Sequence, residues 1–350
     1  MSCLDEAELL PDVVSKEINQ IRVIYIMGAG RSGSTVLEAI LAAHHETVAV
    51  GETAFLSTPY WTDGSCYCSC GVPGPRCDFW QSILSHWRTK TSLSQFEDIN
   101  PIIRRYESLS GSGILQWQRQ SKVEGIRNKT ALDWLRSTRA LYQSIAEVSG
   151  KRVIIDSSKN PLRARGLCMI PGLDVRLIHL VRDIRGVAWS RMKVRARDPE
   201  NGFGKEMKKN PIWRTVAYWG IVNHWCEKVR RVQWAHKSIR LRYEDYTAQP
   251  RETLDGLKDV TGLDYTSTVE GLANGRALRL DHTAAGNYVR MSDQIRLRRD
   301  IEWENRMSGF QKQLCWQLGG RMAARYGYGW HPNNCERQSL AELDGVPVRR

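Results

Sequence analysis

The sequence predicts an α/β fold of three layers, with a central, mainly parallel sheet of about five strands and a helical insert. Three observations lead there. Short β-rich apolar runs alternate with helical patterns. The first run stops at a glycine-rich loop that opens a helix, and residues 57–129 break the alternation.

The first run, "IRVIYIMG" (21–28), has the pattern of a buried parallel strand stopped by glycine. "STVLEAILAAHH" then places Val36, Leu37, Ile40 and Leu41 at helical spacing. Four later runs read as strands: 48–51, 151–156, 175–181 and 238–244. Between them, Trp80, Ile83, Leu84 and Trp87 share a helical face, and "TALDWLRSTRALYQSIAEVSG" stops at Gly150 as a helix does. Residues 213–236 predict another long helix. Residues 57–129, richer in Ser, Gly, Pro and Trp, read as a substrate-side insert or cap on a single domain spanning 21–330. Residues 1–20 read as a loose lead-in and 331–350 as a frayed tail.

Of the 350 residues, 41% are hydrophobic and 25% charged, which excludes wholesale disorder. The net charge is +13, and residues 151–200 hold 12 Lys or Arg against 5 Asp or Glu. Such clustering suits an anion, either nucleic acid or a small polyanion, although a solvated basic surface has the same composition. The amino terminus is acidic and lacks the apolar core of a signal peptide. No run approaches the roughly 18 apolar residues of a membrane span. The expectation is a soluble, cytoplasmic protein. Nine scattered cysteines make a poor disulfide framework.

The loop "GAGRSGST" (28–35) has the glycine spacing of a nucleotide P-loop, but Ser34 stands where that loop carries lysine. Backbone amides, Ser32, Ser34 and Thr35 could still donate to an anion, and Arg31 supplies a guanidinium. A phosphate joined to another tetrahedral group suits these residues better than ATP with magnesium. A glycine turn without a ligand has the same pattern. The second motif is "HLVRDIRGVAWSRMK" (179–193). It puts Arg182 just past a predicted strand end and Ser190 eight residues on, in the first turns of the next helix. Ligands of open α/β sheets bind at such strand ends, where the pair could grip a second phosphate. A salt-bridged arginine beside a surface serine is the plainer alternative.

Together, an R-S-G-[ST]-T loop and a later R-D-x-R-x-x-A-x-S resemble the sulfotransferases that use 3′-phosphoadenosine 5′-phosphosulfate. The resemblance implies that Gly28, Arg31, Ser32, Gly33, Ser34 and Thr35 hold the 5′-phosphosulfate, and that Arg182 and Ser190 hold the 3′-phosphate. "GRSGSTVLEAILAAH…VGET" is similar to the opening of the tyrosylprotein sulfotransferases, and "DSSKNP" (156–161) occupies the place of their lysine-bearing strand end. "LRYEDYTAQP" and "HTAAGNYVR" resemble segments of the wider bacterial and carbohydrate enzymes, so the likeness runs from about residue 21 to 329. Two departures count against tyrosine as acceptor. The spacing from His44 to Gly51 is one residue longer, and no amino-terminal membrane anchor precedes the domain.

Sulfuryl transfer is in-line displacement at a tetrahedral centre, so positioning and charge stabilisation dominate. Glu52, after a predicted strand end and matching the base of the tyrosylprotein family, is the candidate general base; an exposed or salt-bridged glutamate is the alternative. His44 and His45 are runners-up that also suit packing at the end of the first helix. Arg31 and Lys159 are the candidate cations for developing charge. Asn287 and Arg290 of "GNYVR" are candidate additional phosphate ligands. The resemblance implies no metal, and a small molecule or carbohydrate as the acceptor.

"CYCSCGVPGPRCDFW" gathers Cys66, Cys68, Cys70 and Cys77. C-x-C-x-C is not the usual C-x₂₋₄-C of structural zinc. Similar segments recur in bacterial sulfotransferases, so buried thiols or a local disulfide are expected, with zinc as the alternative. The thirteen tryptophans are expected to fill the core and line an aromatic acceptor pocket. Two other classes stay open: a P-loop kinase without its lysine, and a basic nucleic-acid binder, which would lack a recognisable binding motif.

Overall fold

The structure, a computed structural model, describes residues 20–109, 129–193, 198, 209–233 and 237–331. The sequence-predicted lead-in and tail lie outside these residues, except for their innermost positions. So does the last part of the predicted insert.

Among the described residues, five strands form one parallel sheet in the order β2-β3-β1-β4-β5. They are β1 (Ile21–Met27), β2 (Thr47–Gly51), β3 (Val153–Lys159), β4 (Leu173–Val181) and β5 (Ser238–Arg242). The three-layer expectation therefore holds, with shifted ends. β3 runs three residues past the predicted Asp156, and β5 stops at Arg242 because Tyr243 already begins the short helix Tyr243–Ala248.

Side chains of β1 alternate between the two faces, as a strand requires. Ile24 and Ile26 pack with Leu37, Ile40 and Leu41 of α1 (Ser34–Ala42) on one side. Val23, Tyr25 and Met27 pack on the other, in a core shared by several helices. These include α2 (Asp78–Arg88), α3 (Lys129–Ser149), α4 (Pro161–Leu167), α5 (Ile184–Met192) and α6 (Ile212–Gln233). α7 (Pro250–Thr261) covers the first face through Leu254, Leu257 and Val260.

The described part of the segment after Ser57 is partly helical, with helices at Pro59–Thr62, Asp78–Arg88 and Asn100–Tyr106. Trp80, Ile83 and Trp87 of α2 are buried against α3, while Leu84 of the same predicted face is only partly covered. The Trp87 indole donates to the Ser137 carbonyl at 2.9 Å, so its polar edge is satisfied inside the core.

Every strand points its carboxyl end the same way. The residues that follow β1, β2, β4 and β5, and the last residue of β3, therefore gather at one edge of the sheet. That edge is where open α/β folds place their ligands.

Candidate functional site

The loop after β1 is shaped by two glycines. A Cβ on Gly28 would lie 2.2 Å from the Leu180 carbonyl oxygen, so the chain can pass this close to β4 only without a side chain. Gly33 opens α1 at a φ of 92°, with the ring of Tyr243 where a Cβ would go, and the Tyr246 hydroxyl donates to its carbonyl at 2.9 Å. Between them Arg31 adopts a left-handed φ of 77°, a conformation costing a non-glycine residue about 1–3 kcal/mol. α1 has no acidic residue in its first turn and no side-chain cap, so its positive end is left to whatever enters beside Ser34 and Thr35. The Ser32 hydroxyl is buried without a hydrogen-bond partner among the described residues.

A cleft of about 690 Å³ opens over this loop. Its walls include Arg31, Ser34 and Thr35 from the loop, Glu52 after β2, Lys159 at the end of β3, and Asn287 and Arg290. Register shifts aim the two central groups. β3 gains a residue against β1 between Tyr25 and Met27, and β2 slips against β3 between Ala49 and Gly51. Such bulges redirect a side chain at a strand end. Lys159 also takes a left-handed φ of 68°. Its ammonium reaches Glu52 Oε1 at 2.5 Å and the Ser157 carbonyl at 3.1 Å, with both side chains mostly covered. The Glu52 amide donates to the Ala284 carbonyl at 2.7 Å, which fixes the glutamate's backbone.

No family model matches the chain, and no curated protein matches it. Solved structures do. The sulfotransferase domain of the curacin biosynthetic pathway is 14% identical, with 88% of this chain and 99% of that one covered and a TM-score of 0.43. The sulfotransferase domain of the Synechococcus PCC 7002 olefin synthase is 16% identical over 88% and 96%, with a TM-score of 0.40. A sulfotransferase from Mycobacterium tuberculosis is 14% identical over 74% and 72%, with a TM-score of 0.40.

The second motif lies against the first. Arg182 donates to the Arg31 carbonyl at 3.3 Å, stacks over the Tyr243 ring at 4.3 Å, and pairs with the Asp300 carboxylate at 3.0 Å. It is buried and is not among the residues lining the cleft. Ser190 is half-buried, in the last turn of α5 rather than its first, and is also absent from the cleft wall. The next residue, Arg191, lines the cleft instead. Its guanidinium stacks on Tyr218 at 4.4 Å and lies 3.0 Å from the Cβ position of Gly30. Sequence reasoning missed Arg191, because only the rotation of α5 decides which of two adjacent residues turns inward.

Asn287 caps a short 3₁₀ turn, accepting from the Val289 amide at 3.4 Å, while its own amide donates to Thr35 Oγ1 at 3.3 Å. Arg290 is buried and spends its guanidinium on the carbonyls of Gly286, Asn287 and Tyr67. Its role here is to join the 286–290 turn to the cysteine segment. His44 and His45 are absent from the cleft wall. They stack on one another at 4.7 Å before β2 begins, at the opposite end of that strand from Glu52. Among the described residues no tryptophan lines this cleft, whose aromatic residues there are Phe55, Tyr60 and Tyr218; Trp61, Trp80, Trp87, Trp134 and Trp219 are in the core.

Beneath the cleft runs a buried polar network. Asp156 accepts from Thr53 Oγ1 at 2.5 Å, from the Tyr142 hydroxyl at 2.6 Å and from the Ser158 amide at 2.7 Å. Arg163 donates to Thr53 Oγ1 at 2.9 Å and pairs with Glu107 at 2.7 Å, almost fully shielded from solvent. Glu38, from α1, accepts from the Gly51 amide at 2.6 Å and the Ser157 hydroxyl at 2.7 Å. Burial pushes its carboxyl up to about 7, against those two hydrogen bonds and the charge of Lys159. These groups hold the ends of β2 and β3, and so hold Glu52 and Lys159.

Proposed function

We propose that this chain is a sulfotransferase that moves the sulfuryl group of 3′-phosphoadenosine 5′-phosphosulfate to a hydroxyl or amine acceptor by in-line displacement. The observation that carries the reading is the Glu52–Lys159 pair, held at two neighbouring strand ends in the same cleft as a phosphate loop without a lysine. The contact between Arg182 and the Arg31 carbonyl adds support, since it makes the two anion motifs adjacent.

The residues present fit such a donor. The partnerless Ser32 hydroxyl and the uncapped end of α1 suit a phosphosulfate, with Arg31 beside them. The motif assigns Arg182 and Ser190 to the 3′-phosphate although neither lines the cleft, which requires Arg182 to turn from the Asp300 carboxylate toward it. Arg191 supplies a further cation on the cleft wall.

In the reaction the acceptor oxygen forms a bond to sulfur while the bond from sulfur to the 5′-phosphate oxygen breaks. Glu52 takes the acceptor's proton as general base. Lys159 leaves Glu52 to neutralise charge growing on the bridging oxygen, and Arg31 does so at the sulfuryl oxygens. Adenosine 3′,5′-bisphosphate and the sulfated acceptor depart, so charge and atoms balance without a metal in the displacement. A small molecule or carbohydrate is the proposed acceptor and the cytoplasm the proposed location. No helix among the described residues is long and apolar enough to cross a membrane.

Calorimetry tests the reading. Adenosine 3′,5′-bisphosphate should bind tightly, and ATP–magnesium or an oligonucleotide should not. Preference for ATP–magnesium would restore a kinase, and preference for the oligonucleotide a nucleic-acid binder.

A further inference from the structure

The cysteine segment does not fold as its spacing suggests. Cys66 turns toward the cleft, where its sulfur lies 4.0 Å from the Arg290 guanidinium. Cys68, Cys70 and Cys77 instead converge on His282, a residue 205 positions beyond Cys77. Their three sulfurs and one ring nitrogen all lie within 4.8 Å of one another.

Three of the six separations match the edges of a metal tetrahedron, and all six are at most 4.8 Å. With zinc–sulfur bonds of about 2.3 Å and a zinc–nitrogen bond of about 2.0–2.1 Å, tetrahedral geometry sets sulfur–sulfur edges near ~3.8 Å and sulfur–nitrogen edges near ~3.5 Å. The observed Cys70–Cys77 sulfur separation is 3.6 Å, and His282 Nδ1 lies 3.8 Å from Cys68 Sγ and 3.4 Å from Cys77 Sγ.

Contacts outside the four groups hold them in place. The Cys68 amide bonds the Val72 carbonyl and the Gly71 amide bonds the Cys68 carbonyl, forming a tight turn around Cys70. Cys77 sits at the N-terminal boundary of α2, and the Phe79 ring stacks on the His282 ring at 4.9 Å. The Ser69 amide donates to the Thr283 carbonyl, and Ser69 Oγ accepts from the Thr283 amide at 2.8 Å.

We propose that Cys68, Cys70, Cys77 and His282 bind one zinc ion in a closed, tetrahedral Cys₃His site of structural type. Three protein elements supply the ligands: the 68–72 turn, the start of α2, and the 282–286 segment. That last segment also carries Ala284, which bridges Gly51 at the end of β2 and accepts from the Glu52 amide, and Gly286 of the cleft wall, with Asn287 next in the chain. The ion therefore clamps the helical segment onto the wall that positions Glu52, without touching substrate.

The test uses the full, untagged chain, purified under reducing conditions from zinc-supplemented growth. Elemental analysis is expected to find about one zinc per chain, and zinc K-edge absorption a shell of three sulfurs and one nitrogen. Cys77→Ser and His282→Ala should lose the metal, and Cys66→Ser should keep it. If the first two variants fail to fold, the absorption shell of the unaltered chain decides alone. Chelation should lower the melting temperature of the unaltered protein. Substoichiometric zinc, a Cys70–Cys77 disulfide in mass spectra of the alkylated, unreduced chain, or iron with labile sulfide would each overturn the assignment.

Discussion

Lys159 and Glu52 share a hydrogen bond of 2.5 Å although they belong to the ends of two different strands. The pair joins the group assigned to take a proton to the group assigned to stabilise a leaving oxygen. Separating them is part of the proposed reaction, so removing either should affect turnover more than donor binding. Glu52→Gln and Lys159→Ala are each expected to lower kcat by ~10²-fold or more, with the dissociation constant of adenosine 3′,5′-bisphosphate nearly unchanged. Steady-state kinetics beside calorimetry checks this. A Glu52→Gln rate within a few-fold of the unaltered enzyme would require another base, and the position of His44 and His45 beyond the far end of β2 offers none.

Arg182 should behave in the opposite way. It bonds the Arg31 carbonyl without itself lining the cleft, and its carboxylate partner is Asp300. Arg182→Ala is expected to raise the dissociation constant of adenosine 3′,5′-bisphosphate by roughly 10- to 100-fold, the loss of one charge-assisted hydrogen bond. Asp300→Asn should lower it a few-fold by removing a competing anion. If Asp300→Asn weakens binding instead, the ion pair belongs to the donor-bound form as well.

The Arg163–Glu107 pair lies nearly dry beneath the cleft, with side-chain exposures of 2% and 3%. Arg163→Met leaves a buried carboxylate without its counter-ion and should cost about 3–5 kcal/mol in urea unfolding. Adding Glu107→Met should recover more than half of that. An additive double variant would mean that the two charges are not coupled.

Glu38 predicts a pH dependence of stability. Its carboxyl stands at about 7 in the folded chain, against an ordinary 4.5. Between those values the folded state keeps a proton that the unfolded state has lost. Stability therefore falls as pH rises through this window, by roughly 3 kcal/mol in all, and levels off above it. Glu38→Gln removes that contribution. Unfolding curves across the window should show the variant gaining on the unaltered protein as pH rises, and a constant gap would count against the assignment.

The parts of this molecule that were legible in its sequence are those set by local physics. Alternation along "IRVIYIMG", helical spacing after Ser34 and the glycines of the intervening loop each depend on neighbours a few residues away. They predicted β1, α1 and the glycine loop between them in order. Glu52 and Lys159 were legible because each is at or just beyond a strand end, and strand ends in a parallel sheet share an edge.

What tertiary structure decided has a different cause. Whether Ser190 or Arg191 lines the cleft depends on the rotation of α5 against its neighbours. Arg290 lines the cleft as its place in the turn suggested, but its hold on a carbonyl of Tyr67, 223 positions away, came only with the fold. His282 completes the cysteine cluster from a similar distance, so spacing within "CYCSCGVPGPRC" argued against zinc with one of the four ligands out of view. Short-range periodicity carries backbone form because dihedral preferences and burial repeat along the chain. The meeting of remote side chains is set by packing, which no local stretch encodes.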